Sequence, residues 1–206
     1  MIRRPDGHPL SGRLIVVGGQ CRKVGKTALI VDIIHATPDL HWTAVKITPH
    51  AESHCPVNGP DCRCGPTEHA FSILKEVDHS GRTGTSRYLL AGAQTSLWVQ
   101  TKDDRVEDVL GPLAETLKQS ENVIVESDAL VKFWRPELFL MVLDSRMANF
   151  KSSAREVLPL VNAFVLRSPY PEALDASTSG ERRPSFLQPI GQALPLELQE
   201  LIIAPI

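Results

Sequence analysis

One short stretch constrains this chain more than any other. The apolar run Leu14-Ile15-Val16-Val17 ends at Gly18-Gly19, and a second apolar run, Ala28 to His35, begins just after Gly25-Lys26-Thr27. The first run reads as a strand buried on both faces, and the second as a buried helix that stops before Pro38. Between them lies Gly19-Gln20-Cys21-Arg22-Lys23-Val24-Gly25-Lys26-Thr27. A strand that turns through a glycine-bearing loop into a helix places backbone N–H groups and a positive helix end at one point. A lysine and a hydroxyl there serve the outer phosphates of a nucleotide and a Mg²⁺ ion. Gly19, Lys23, Val24, Gly25, Lys26, Thr27 and Ala28 are therefore the expected nucleotide-binding residues. Five residues separate Gly19 from Gly25, one more than in the usual phosphate loop.

The rest of the chain alternates strands with helices. Trp42 to Thr48, Leu97 to Val99, Asn122 to Glu126, Leu138 to Leu143 and Ala163 to Leu166 read as strands, the first of them closed by Pro49. The spacing of Ala70, Phe71, Ile73, Leu74 and Val77 predicts a helix started by Pro66-Thr67-Glu68. A second helix ends near Ala91-Gly92-Ala93. A third, capped by Asp103 or Asp104, carries Val106, Val109, Leu110, Leu113 and Leu117, with a kink or break expected at Gly111-Pro112. This alternation predicts an α/β fold of three layers, a mostly parallel sheet with helices on both faces.

A chain of 206 residues suits one such domain. We expect a nucleotide-binding domain over 1–168 with a Cys/His-rich loop at 50–65. Beyond Ser168, where six of the sixteen prolines fall, a Pro-rich linker and an apolar C-terminal extension occupy 169–206. The formal net charge of −2 argues against a broad nucleic-acid face. No apolar run is long enough to span a membrane, and none follows Arg3-Arg4 to make an export signal. A cytoplasmic protein with no nucleic-acid or membrane partner is expected.

Two polar residues at strand ends carry chemistry. Glu126 ends an apolar strand, where an unpartnered carboxylate is costly, so it either sits beside Mg²⁺ or makes an ion pair. Lys46, at the end of the second strand, faces an outer phosphate or an acidic substrate, or snorkels to solvent. Asp128 is a weaker candidate. Lys26, Lys46 and Glu126 form the expected catalytic set, with Thr27 and Glu126 toward the metal. Arg82 and Arg87 are candidates for an anionic substrate. Trp98, Trp134, Phe133 and Phe139 read as core or interface. Cys55, Cys62 and Cys64 crowd into ten residues with His50, His54 and His69 nearby. In a reducing compartment they read as free thiols or as ligands to Zn²⁺ or an iron–sulfur cluster.

The loop ending Val24-Gly25-Lys26-Thr27 resembles that of dethiobiotin synthetase and its relatives among P-loop proteins. The signature lysine of the deviant-loop ATPases falls at Cys21 and is missing. A longer match, over Leu14 to Arg167, resembles the molybdopterin-guanine-dinucleotide biosynthesis adapter family (MobB). It rests on the loop, on Val45-Lys46-Ile47-Thr48-Pro49-His50, and on Thr85-Ser86-Arg87-Tyr88-Leu89-Leu90-Ala91-Gly92-Ala93. The family's Gly-Lys-Asp-Ser is replaced by Arg82-Thr83-Gly84-Thr85, and its Val-Glu-Gly by Val125-Glu126-Ser127. The resemblance implies a Mg²⁺-dependent GTP-binding adapter with weak NTPase activity in molybdenum cofactor assembly. It implies a homodimer and a cofactor-biosynthesis enzyme or cofactor cargo as partner. The alternatives are an ATP-dependent synthetase or kinase of the dethiobiotin synthetase type, and a nucleotide-gated metallochaperone. The Asn-Lys-x-Asp guanine signature is absent, so GTP and ATP both stay open; Arg167 and Ser168 follow the strand where the base is often read in this class.

Overall fold

Alternation along the first strand, β1 (Leu14–Gly19), sets the layers: Leu14 and Val16 enter one core, Ile15 and Val17 the other. The computed structural model describes residues 13–50, 70–102, 105–169 and 183–204. In chain order the elements are β1, α1 (Lys26–Ala36), β2 (Trp42–His50), β3 (Phe71–Lys75), α2 (Gly84–Leu90), β4 (Thr95–Lys102), α3 (Leu110–Thr116), β5 (Asn122–Glu126), β6 (Leu138–Leu143), α4 (Ser152–Val157), β7 (Ala163–Leu166), β8 (Ser185–Leu187) and α5 (Leu196–Ile203). The sheet runs β3-β4-β2-β5-β1-β6-β7-β8. Among the described strands only the β3–β4 pairing is antiparallel.

Helices cover both faces. On one, Leu29, Ile30, Ile33 and Ile34 of α1 pack with Tyr88 of α2 and with Leu198 and Ile202 of α5. On the other, Leu113 of α3 and Ala154 and Val157 of α4 meet Val123, Val125, Phe139 and Met141. Each fully buried aliphatic side chain contributes about 1.5–3 kcal/mol. This is the three-layer α/β arrangement the alternation predicts. The apolar tail returns to the α1 face as α5, and Arg13 donates to the Ala204 carbonyl at 2.7 Å.

Four local readings differ from the sequence expectation. Residues 71–75 form an edge strand, not a helix. Phe71 and Ile73 pack against the α3-side core while Ser72 bonds Gln100 on β4, a period of two that the open edge of β4 selects. β2 runs through Pro49, because β5 ends at Glu126 and past Lys46 only β4 pairs with it. A missing N–H on the unpaired side breaks no ladder bond. The break near Gly111-Pro112 falls earlier, where a 3₁₀ turn, Val106–Val109, passes into α3. Pro112 then lies in the first turn of α3, where its N–H is not needed. Finally, β8 extends the sheet beyond β7 at the start of the apolar extension, where no strand is expected from sequence. Asp103, Asp104 and Pro66-Thr67-Glu68 lie outside the described residues.

Candidate nucleotide-binding site

The loop after β1 is shaped by backbone that ordinary residues avoid. Lys23 has φ 65° and Gly25 φ 101°. Left-handed residues two apart curl the chain so that successive N–H groups face inward. Gly25 is also the N-cap of α1, with no side chain to satisfy the first helical N–H groups. Those donors stay available to an anion.

Both ends of the loop are pinned. At its start, Gln20 donates to the Met147 carbonyl at 2.7 Å and accepts from the Asp144 N–H at 2.8 Å. At its end, the buried Arg167 guanidinium donates to the Gly25 carbonyl at 2.7 Å. Arg167 also donates to the Gln188 carbonyl at 2.8 Å and to the Gln188 side chain. Gln188 passes the contact on to Asp32 of α1 at 2.8 Å. Burial holds the Arg167 pKa below its ordinary value, partly countered by Asp32 and Asp144. Arg167 thus supports the loop through β7 and β8.

Thr27, Lys46 and Glu126 meet at the carboxyl end of the sheet. Lys46 and Glu126 are register partners on β2 and β5, so both side chains leave the sheet on the α1 face. Lys46 Nζ lies 3.1 Å and 3.0 Å from the two Glu126 oxygens and donates to Thr27 Oγ1 at 3.1 Å. Thr27 donates to Glu126 at 2.6 Å, and the buried Tyr88 hydroxyl donates to the same oxygen at 2.5 Å. Burial pushes the Glu126 carboxyl up, but Lys46 and the hydrogen bonds from Thr27, Tyr88 and Lys46 outweigh it, and its pKa lies below the ordinary value. Burial and the adjoining Glu126 charge raise the Tyr88 pKa well above that of a free phenol. Gly84 admits Lys46 under α2, since a Cβ there would stand 3.0 Å from Nζ.

Asp128, one turn beyond β5, accepts from the Gly19 N–H at 2.7 Å and pairs with Lys151 at 3.1 Å. Lys26 donates to the Cys21 carbonyl at 3.2 Å. Burial lowers the Lys26 pKa, against the pull of Asp128 and Glu126. These groups open onto a cleft of about 1000 Å³. Arg22, Lys23 and Lys26 line its loop end, and Lys46, Arg87, Lys132 and Lys151 its other walls. Against these seven cations stand two carboxylates among the lining residues, Glu126 and Asp128.

The residues expected from sequence fall as follows. Lys23, Gly25, Lys26, Thr27, Ala28, Lys46 and Glu126 all line this cleft. Gly19 lies behind it, and the Val24 side chain turns into the core at 1% exposure. Arg87 reaches the cleft, whereas Arg82 does not line it and donates to Ser80 nearby. Trp134 and Phe139 are core as expected, but Phe133 lines the cleft at 42% exposure. Cys55, Cys62, Cys64, His54 and His69 lie outside the described residues. Among the described residues no group of three or more His, Cys, Asp or Glu could hold a metal ion. None of the described helices is long and apolar enough to cross a membrane. Tyr88, Lys132, Lys151 and the support given by Arg167 escaped sequence reasoning. Tyr88 sits in the Thr85–Ala93 stretch that carries the family resemblance, which was its only signal.

A mostly parallel sheet with helices on both faces, a glycine-bearing loop after β1 and Lys26-Thr27 opening α1 define a three-layer P-loop NTPase fold. No family model and no curated protein matches the chain, so the molybdopterin adapter family in particular gains no support. Among solved structures the chain is similar to LpxK from Aquifex aeolicus, whose crystal structure was determined in complex with ATP. The TM-score is 0.39 and the identity 14%, over 84% of this chain and 53% of that one. The chain therefore spans about half of that protein, and so distant a likeness says nothing about activity or substrate.

Proposed function

We propose that the chain binds a Mg²⁺–nucleoside triphosphate in the loop Gly19 to Ala28 and hydrolyses it slowly. The observation that carries this reading is the meeting of Thr27, Glu126 and Lys46 at the mouth of a loop whose N–H groups are uncapped. The donor set fits Mg²⁺, a hard cation that takes a hydroxyl and one carboxylate and completes its shell with water and phosphate oxygens. Bound there, Mg²⁺ would neutralise charge on the phosphates. Lys26, half-buried and bonded to the Cys21 carbonyl, is placed to turn to the outer phosphates. Lys46 stands within reach of Thr27 and Glu126 together and, with the ion in place, is the cation that faces developing charge. No free base is required of this chain for slow hydrolysis by positioning and charge alone.

The finer reading is a GTP-dependent adapter for molybdenum cofactor assembly, acting as a homodimer on a partner enzyme or cargo. Its support is the sequence resemblance at Val45–His50 and Thr85–Ala93. An ATP-dependent synthetase is the second reading, favoured by a cleft larger and more cationic than the phosphate loop itself needs. A metal carried at Cys55, Cys62 and Cys64 is compatible with either.

Calorimetry with Mg²⁺–GTP and Mg²⁺–ATP on the full chain tests the proposal. One nucleotide per chain is expected, lost on removal of Mg²⁺. In a folded Lys26→Ala variant affinity should drop at least about tenfold, equivalent to about 1.4 kcal/mol. A wild-type chain that binds neither nucleotide overturns the reading. A tenfold preference for GTP supports the adapter, and the reverse preference the synthetase.

A further inference from the structure

The cleft has a direction. Its loop end is closed from the β7–β8 flank, where Arg167 holds the Gly25 carbonyl and Ile190 lines the edge. Thr27, Glu126 and Lys46 stand on the β5–β2 flank. In a loop of this kind the lysine and hydroxyl serve the outer phosphates. A bound triphosphate therefore ends toward β5 and β2, and the cleft continues beyond it.

That continuation has its own wall. Ile47 and Pro49 of β2 line it, with Ala129, Lys132 and Phe133 from the segment after β5. Lys151 lines the cleft too, from the start of α4. Ile47 and Ala129 belong to the α3-side core, on the face of the sheet opposite α1. The apolar part of the wall, with Lys132, is thus set apart from the phosphate loop by the edge of the sheet, whereas Lys151 belongs to the loop side: its N–H donates to the Gln20 carbonyl at 2.9 Å and its Nζ pairs with Asp128. Phe133 offers an exposed aromatic face there, at 42% exposure, without being needed for the core. Lys132 pairs with Glu156, which is exposed and not part of the lining, and both side chains are about half in solvent. Such a pair contributes little and re-partners at small cost. With Lys46 and Lys151 paired to Glu126 and Asp128, five lining cations have no carboxylate partner among the described residues of the cleft, more charge than a triphosphate partly neutralised by Mg²⁺ takes up.

Resting on the nucleotide reading for its orientation, we propose that this wall is a second ligand site, for a small organic anion with an apolar or aromatic body. The body lies on Phe133, Ile47 and Pro49, and the anionic group is met by Lys132. The ligand sits beside the outermost phosphate, as a co-substrate or cargo would. The apolar surface and Lys132 act together, so neither a bare anion nor a neutral aromatic satisfies the wall.

Phenyl phosphate, inorganic phosphate and benzyl alcohol serve as probes. Each is titrated calorimetrically into the full chain saturated with Mg²⁺ and a non-hydrolysable nucleotide. Phenyl phosphate is expected to bind once per chain, at least about tenfold tighter than either other probe, without displacing nucleotide. Phe133→Ala and Lys132→Ala are each expected to weaken it about tenfold while nucleotide affinity stays within about twofold. Displacement of nucleotide, equal affinity for the three probes, or binding unchanged in both variants overturns the proposal. Should no nucleotide bind, the same titration on nucleotide-free chain still separates the sites. Phenyl phosphate lost with Phe133→Ala but not with Lys26→Ala upholds the wall and condemns the phosphate loop; the converse condemns the wall.

Discussion

Lys46 and Glu126 stand side by side on neighbouring parallel strands, 80 residues apart in sequence, with Nζ 3.0 Å from Oε2. Their side chains are 26% and 10% exposed, so the pair is shielded but not sealed. Each also touches Thr27, the first hydroxyl of α1. One ion pair therefore joins two strands to the helix that opens the phosphate loop.

A double-mutant cycle on Lys46→Met and Glu126→Gln should return a coupling of about 0.5–3 kcal/mol. The Glu126 pKa is lowered on folding from the ordinary 4.5, so its contribution is complete above that value. It is lost as pH falls from there through the folded-state value, because the unfolded chain then binds the proton first. Urea denaturation from pH 7 down to pH 3 should show this slope in the wild type and a smaller one in Glu126→Gln. Identical slopes would mean that the pair makes no net contribution.

Tyr88→Phe removes one donor from Glu126 and leaves the ring in place. A hydrogen bond to a charged group is worth about 1.5–3 kcal/mol, and a loss near the lower end is expected because Thr27 and Lys46 remain. The carboxylate also becomes freer to turn. The Mg²⁺ concentration for half-maximal nucleotide binding should rise, an effect that a purely packing role for Tyr88 would not produce.

Gly25→Ala places a Cβ at φ 101°, 2.9 Å from Arg167 Nε. Left-handed strain of about 1–3 kcal/mol is expected, read as a lower denaturation midpoint. Nucleotide affinity should fall by more than stability alone explains, since the loop donors are re-aimed.

Arg167→Met leaves the Gln188 carbonyl and side-chain oxygen without their donor, while the Gly25 carbonyl loses the clamp but keeps the Leu29 N–H at 3.0 Å. Each buried acceptor left unpaired costs about 1–3 kcal/mol, part of which is offset by no longer burying a guanidinium. A net loss of about 1–3 kcal/mol follows, with faster proteolysis within the loop. Unchanged nucleotide affinity in this variant would show that the loop does not depend on the clamp.

Much of the site is readable before any fold is known. Gly25-Lys26-Thr27 announces itself because a strand–loop–helix junction and its chemistry are contiguous. Lys46 and Glu126 are conspicuous as charges closing apolar runs. Tyr88, Lys132 and Lys151 are not, because nothing local distinguishes a tyrosine in a helix that packs on the sheet from one that donates to a carboxylate. Residues 71–75 illustrate the same limit for the fold. Their apolar positions fit a helical spacing, and the unpaired edge of β4 decides for the strand.

The strand–loop–helix junction, the parallel α/β alternation and the two charged strand ends are legible along the chain, since each rests on neighbours within a few residues. Tertiary structure decided which charges meet. Register between β2 and β5 brings Lys46 to Glu126, and the addition of β8 beside β7 carries Gln188 to Arg167 and so to Gly25. Hydrogen bonds and ion pairs act over a few ångströms, and only strand pairing brings residues tens of positions apart within that range.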